Sequence, residues 1–197
     1  MNYLKNIYTL IFLLITGIGL DAQTSTVSGK IVARDGEPME NITLTITTSS
    51  QTLTTTTDEL GNYSFADIAI DAIISVVPSR DINPLNGVST FDVVLASKHI
   101  LGLELLDSPY KLIAADVNNS GTITAIDLIA LRKVIAGNET SFPNNSNWRF
   151  IPKNFAFSNP QNPWESPFPE FGISDSNRGF GGELIDFIGI RYNSIEF

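Results

Sequence analysis

The chain of 197 residues has no cysteine and a single histidine, His99. Without thiols it cannot be stapled by disulfides, and with one imidazole a zinc centre of the usual thiolate and imidazole type is all but excluded. Basic residues are also few: 12 Lys and Arg stand against 21 Asp and Glu, for a net charge of −9. Such a balance disfavours nucleic acid and anionic membrane as partners and suits hard cations, which need only oxygen ligands. Long apolar runs are missing except near the start, where residues 7–20 lie between Lys5 and Asp21-Ala22-Gln23. That run is too short to span a bilayer comfortably and reads as a secretory signal, residues 1–22, cleaved after Ala22. Cleavage removes Lys5 and Asp21, so the charge of −9 is kept. The expectation is a secreted or cell-surface protein with no membrane span after cleavage.

What is present changes character along the chain. Residues 23–79 read as a small all-β antiparallel sandwich: STVSGKIVA alternates Val27, Gly29, Ile31 and Ala33 with polar neighbours, ARDGEP is a turn, and NITLTITTS, QTLTTTT, GNYSFADI and AIISVVP are further short runs. Tyr63 and Phe65 follow a turn at Leu60-Gly61-Asn62 and fall on one face, taken as the core face. Past Arg80 the period becomes helical. STFDVVLASKHILG and TAIDLIALRKVIAG each place an Asp in the first turn and end in Gly. Thirty-five residues separate matching positions, with Asp81/Asp116, Asn83/Asn118, Asp92/Asp127, Lys98/Lys133, Ile100/Ile135 and Gly102/Gly137 identical. Residues 80–138 are therefore a duplicated unit. Between the copies, Ser108-Pro109 predicts an N-cap and first position of a short helix. Residues 139–197, rich in Pro, Asn and aromatics, predict an irregular extension pinned on the preceding domains by Trp148, Phe150, Phe155, Phe157 and Trp164, with a possible last strand over Leu184 to Ile190.

The second copy opens with DVNNSGTITAID, Asp116 to Asp127. Oxygen-bearing side chains occupy positions one, three, five, nine and twelve, with glycine at six, which is the ligand spacing of an EF-hand-like calcium loop. Asp116, Asn118 and Ser120 supply side-chain oxygens, Thr122 its carbonyl, Thr124 a water-mediated contact and Asp127 the closing carboxylate, while Gly121 permits the sharp turn. The first copy keeps the register with Asp81, Asn83, the Gly87 carbonyl, Ser89 and Asp92. It has Leu85 where an oxygen is due, Pro84 beside it, and Asn86 in place of glycine. Calcium, Ca2+, is the predicted ion, filling the second loop first. Helix capping and turn formation alone are the competing use of these Asp and Asn residues.

On these residues the segment resembles the duplicated repeat of type I dockerins, with INPLNGVSTFDVVLASKHILG as a degenerate partner. VSGKIVARDGEPMENITLTI and TTTTDELGNYSF resemble the carboxypeptidase regulatory-like or Cna-B-like sandwich of exported bacterial proteins. The first resemblance implies two calcium loops and a cohesin-like protein partner, read at Thr90-Phe91 with Ser97-Lys98 and at Ala125-Ile126 with Arg132-Lys133. Thr-Phe and Ala-Ile depart from the hydroxyl pair frequent at the helix start of that family. A second expectation follows from the departure: Phe91 and Ile126 pack against the sandwich or the aromatic extension, making the module an internal clasp.

Three function classes stand side by side. The first is a non-catalytic calcium-binding module for adhesion or protein assembly. The second is an accessory part of a larger exported hydrolase or adhesin. The third is a polysaccharide-binding protein that stacks sugars on Trp148, Trp164 and Tyr192. Catalysis is not expected, since His99 lies within an apolar helix and no nucleophile motif occurs.

Overall fold

The computed structural model describes residues 24–69, 73–80, 89–143, 147–175, 183–191 and 195. The signal-like residues 1–22 and most of the first loop, including Asp81, Asn83 and Gly87, lie outside the described residues. Among those described, no helix is long and apolar enough to cross a membrane.

Two sheets face each other. β1 (Thr24–Ala33), β2 (Thr43–Thr47), β3 (Thr52–Thr56), β4 (Asn62–Ala69) and β5 (Ile73–Ser79) come from the N-terminal part of the chain. β6 (Trp148–Pro152), β7 (Gly172–Asp175), β8 (Glu183–Leu184) and β9 (Phe187–Arg191) come from the C-terminal extension. The first sheet has the order β4-β1-β9-β6, with β8 also paired to β1; the second runs β3-β2-β5-β7. The period-two pattern is realised as expected, with Val27, Ile31, Tyr63 and Phe65 all buried.

The extension departs from its expected irregular form. Residues 153–171 contain no strand or helix, but the flanking segments supply strands to both sheets. Phe150, Ile185 and Phe187 enter the same core as Ile31, Leu44, Ile46 and Phe65, and Phe187 is fully buried. Burying one such side chain contributes about 1.5–3 kcal/mol, so these strands are integral to the sandwich. The all-antiparallel expectation is corrected with them. β1 pairs in parallel with β8 and β9, Ile31 opposite Phe187, while β6 and β9 are antiparallel. Parallel partners need a long connection, and the helical module between β5 and β6 lies within it.

Gly29 makes this closure sterically possible. A Cβ there would lie 2.0 Å from the Ile185 carbonyl oxygen and 2.8 Å from the Tyr63 ring. In its place the Tyr63 hydroxyl donates to that carbonyl at 2.5 Å.

Three helices connect β5 to β6: α1 (Thr90–Ile100), α2 (Pro109–Ala115) and α3 (Ala125–Ile135). Ser89 and Thr124 are N-caps with reciprocal capping boxes to Asp92 and Asp127, and Ser108 caps α2 ahead of Pro109. At the other end Gly102 and Gly137 adopt φ of 66° and 72°. Leu103 and Asn138 then donate back to the Lys98 and Lys133 carbonyls, both at 2.9 Å. This matched pair of left-handed stops follows from the glycine at the same place in each copy.

α1 and α3 pack together through Val93, Val117, Ala130, Leu131 and Val134. Ala96, Leu112 and Ala115 enclose Ile195, and Ile113 and Ala114 of α2 meet Ile151 and Ile190 of β6 and β9. The extension thus bridges helices and sandwich.

Candidate calcium site

In the second loop Asp116 and Asp127 are 1% and 0% exposed. The Asp116 carboxylate accepts from the backbone N–H of Ser120 at 2.9 Å and of Gly121 at 2.7 Å. Gly121 has φ of 77°, the left-handed turn anticipated at position six. The Ser120 hydroxyl lies 3.3 Å from Asp116 Oδ1 and 3.0 Å from the Thr122 carbonyl oxygen, so positions one, five and seven converge. Asp127 closes the loop, accepting from the Asn118 N–H at 3.2 Å, the Thr124 N–H at 2.8 Å and the Thr124 hydroxyl at 3.2 Å. Thr124 also caps α3, and the half-buried Ile123 packs against the cluster of Ala96, Leu106, Leu112 and Ala115.

Two observations distinguish this arrangement from turns and caps alone. Asn118 Oδ1 is buried and has no hydrogen-bond partner among the described residues. Neither Asp116 nor Asp127 forms an ion pair with a described Lys or Arg. Burial, with the neighbouring Asp127 charge as a smaller contribution, raises the Asp116 pKa above its ordinary 3.8. Two buried carboxylates and a buried amide oxygen around one turn form a set of hard oxygen donors of the kind a divalent cation takes. No cluster of three or more His, Cys, Asp or Glu occurs among the described residues. The set therefore mixes two carboxylates with neutral oxygens, which fits calcium and not zinc.

In the first copy Ser89 and Asp92 are described. Asp92, 1% exposed, accepts from the Ser89 N–H at 2.9 Å and the Ser89 hydroxyl at 3.0 Å, matching Asp127 and Thr124. Its other oxygen accepts the N–H of Ile195 at 2.9 Å. In the second copy the corresponding oxygen accepts from the loop's own Asn118.

The extension also reaches the second loop. Arg149 of β6 donates from Nη1 to Asn119 Oδ1 at 3.0 Å and from Nε to Glu170 Oε1 at 2.8 Å. Its Nη2 also bonds Glu170, and its guanidinium lies 4.9 Å over the Phe168 ring. Trp164 stands against Gly121, within 3.7 Å of where a Cβ would be. Sequence reading included Trp164 only as a general anchor and missed Arg149, Glu170 and Ile195. No spacing signal links them to a loop distant in the chain.

The expected inward packing of Phe91 and Ile126 does not occur. They are 50% and 62% exposed, as are Val94 (46%) and Ile129 (54%) at matching places in the two copies. The capping Asp supplies the reason: Asp92 and Asp127 must face the loop, and the residue just before each is turned about 100° away. Among the polar positions assigned to partner reading, Lys98 pairs with Glu104 at 2.8 Å and Lys133 with Glu139 at 3.8 Å. The Ser97 hydroxyl bonds back to the Val93 carbonyl at 2.6 Å. His99 accepts the Leu106 N–H at 3.1 Å through Nδ1, and partial burial lowers its pKa.

Among the described residues, the second loop is an oxygen-lined turn between α2 and α3, and its spacing recurs once in the sequence. Residues 79–145 match the family model of the dockerin type I domain. No curated protein and no solved structure matches the chain. The matched segment, about a third of the chain, contains the three helices, and strands of one β-sandwich lie on both sides of it.

Proposed function

We propose that this chain is a non-catalytic, calcium-ordered docking module of an exported protein, serving adhesion or assembly. The unpartnered Asn118 oxygen, on the same turn as the buried Asp116 and Asp127, supports the calcium reading. Asp116, Asn118, Ser120, the Thr122 carbonyl and Asp127 hold the ion, with Thr124 acting through water. Bound calcium offsets the charge of both carboxylates and fixes the start of α3.

The docking surface is the exposed face of α1 and α3. Phe91, Val94, Ile126 and Ile129 form two equivalent apolar pairs, and large side chains left in water in this way mark interaction surfaces. Lys98, Arg132 and Lys133 are basic groups of an otherwise acidic chain and suit a cohesin-like protein with an apolar patch and acidic rim. Sugar stacking is the less favoured reading because both tryptophans are used internally. Trp148 stacks on Phe150 beneath Arg80 and Arg191, and Trp164 packs on the calcium loop.

The test combines calcium calorimetry with capture by immobilised cohesins. Calcium binds the parent, and Phe91→Asp with Ile126→Asp abolishes capture while leaving calcium affinity unchanged. Absence of calcium binding at millimolar concentration refutes the ion assignment. Capture that survives both substitutions refutes the assigned face.

A further inference from the structure

The extension touches the second loop at two independent points, and both contacts come from residues that the repeat itself does not contain. Asn119 holds φ of 55°, between ligand positions Asn118 and Ser120, and its side-chain oxygen is held by Arg149. Trp164 covers the opposite flank at Gly121, the other left-handed residue of the turn. Arg149 is itself fixed by Glu170 and Phe168, and its side chain is 14% exposed. Its strand, β6, pairs with β9 at one edge of the first sheet as described, and β9 pairs with β1. A rigid path therefore runs from the turn that carries the ligands, through one guanidinium, into the sandwich.

We propose that residues 147–170 are a support for the calcium loop, with Arg149 as positioning residue, so that calcium binding and closure of the first sheet are one coupled equilibrium. The inference rests on the calcium reading of Asp116–Asp127. With the turn held by Arg149 and Trp164, part of its ordering is supplied by the folded sandwich, which tightens binding. Linkage is reciprocal, so ion binding must in turn hold β6 against β9 by the same factor.

Calcium chloride titration of the full chain, combined with hydrogen exchange at the Phe150, Ile188 and Ile190 amides, tests this. In the parent, calcium slows exchange at these strand amides. Arg149→Met keeps the apolar stem and removes the fork; Asn119→Gly removes the acceptor and keeps the left-handed backbone. Each is expected to weaken calcium binding about tenfold, within the usual range of such couplings. The double variant should be no weaker than Arg149→Met alone, because the Asn119 side-chain bond to Arg149 is already lost in that variant. Affinities within about twofold of the parent overturn the proposal, as do additive losses or calcium-independent strand exchange. If Arg149→Met does not fold, Asn119→Gly decides the matter alone. No calcium binding by the parent overturns the ion assignment and this proposal together, whereas binding without coupling overturns only the support.

Discussion

Replacing Asn118 by Ala should stabilise the protein in the absence of calcium and shrink the stabilisation that calcium gives. The Asn118 side-chain oxygen is buried without a partner, whereas its backbone N–H donates to Asp127 and survives the substitution. A buried unsatisfied acceptor costs about 1–3 kcal/mol. In excess chelator Asn118→Ala removes that penalty, and the melting temperature should rise by roughly 2–4 °C for each kcal/mol recovered in a chain of this size. In calcium the same oxygen is a ligand. Its loss should weaken binding at least about tenfold, so the stabilisation that saturating calcium gives should be smaller than in the parent by about 1.4 kcal/mol or more. Paired thermal melts in chelator and in millimolar calcium, with calorimetry for affinity, measure both arms. Equal destabilisation in the two conditions would show that Asn118 only builds the turn, and the reasoning from the orphaned oxygen would be wrong.

Asp127→Ala should impair calcium affinity and α3 order together, because the residue is both closing carboxylate and capping partner; helix content by circular dichroism should fall even in chelator. Asp92→Ala should destabilise by about 2 kcal/mol or more with or without calcium, since it strands the buried N–H of Ile195 and frees the half-buried N–H of Ser89. A calcium-dependent loss at Asp92 would contradict that view. Gly29→Ala should cost about 1–3 kcal/mol or more through collision with the Ile185 carbonyl, read as a lowered denaturation midpoint at unchanged calcium affinity. Saturating calcium at about one hundred times its dissociation constant should stabilise the parent by about 2.7 kcal/mol, and chelation should reverse it.

The parts legible in the sequence are those specified by neighbours in the chain. Ser89, Ser108 and Thr124 marked helix starts, Gly102 and Gly137 marked stops, and the spacing from Asp116 to Asp127 marked the turn, because each depends on a few adjacent residues. The alternation through β1 and β4 gave the core face of the sandwich for the same reason. The union of the two chain ends was hidden. Ile31 meets Phe187 in parallel pairing, a contact with no local cue, and the Pro- and Asn-rich stretch before it favoured an irregular reading. Phe91 and Ile126 were misplaced because their apolar character was weighed without the geometric demand of the buried Asp that follows each. Arg149 lacked a signal of any kind, since one basic residue in WRFIP does not specify the loop it will reach.

That the helical module leaves β5 and returns through β6 bears on how load would pass through it. A module on a flexible tether can swivel toward its partner and yields at the tether when pulled. Here tension applied at the α1–α3 face reaches β5, an interior strand of the second sheet, and β6, an edge strand of the first, at the same time. Detachment would require peeling one strand from each layer, while the Ile113, Ala114, Ile151 and Ile190 contacts restrain rotation at the base. The docking face is carried as on a bracket with two bolts, aimed in a direction set by the sandwich.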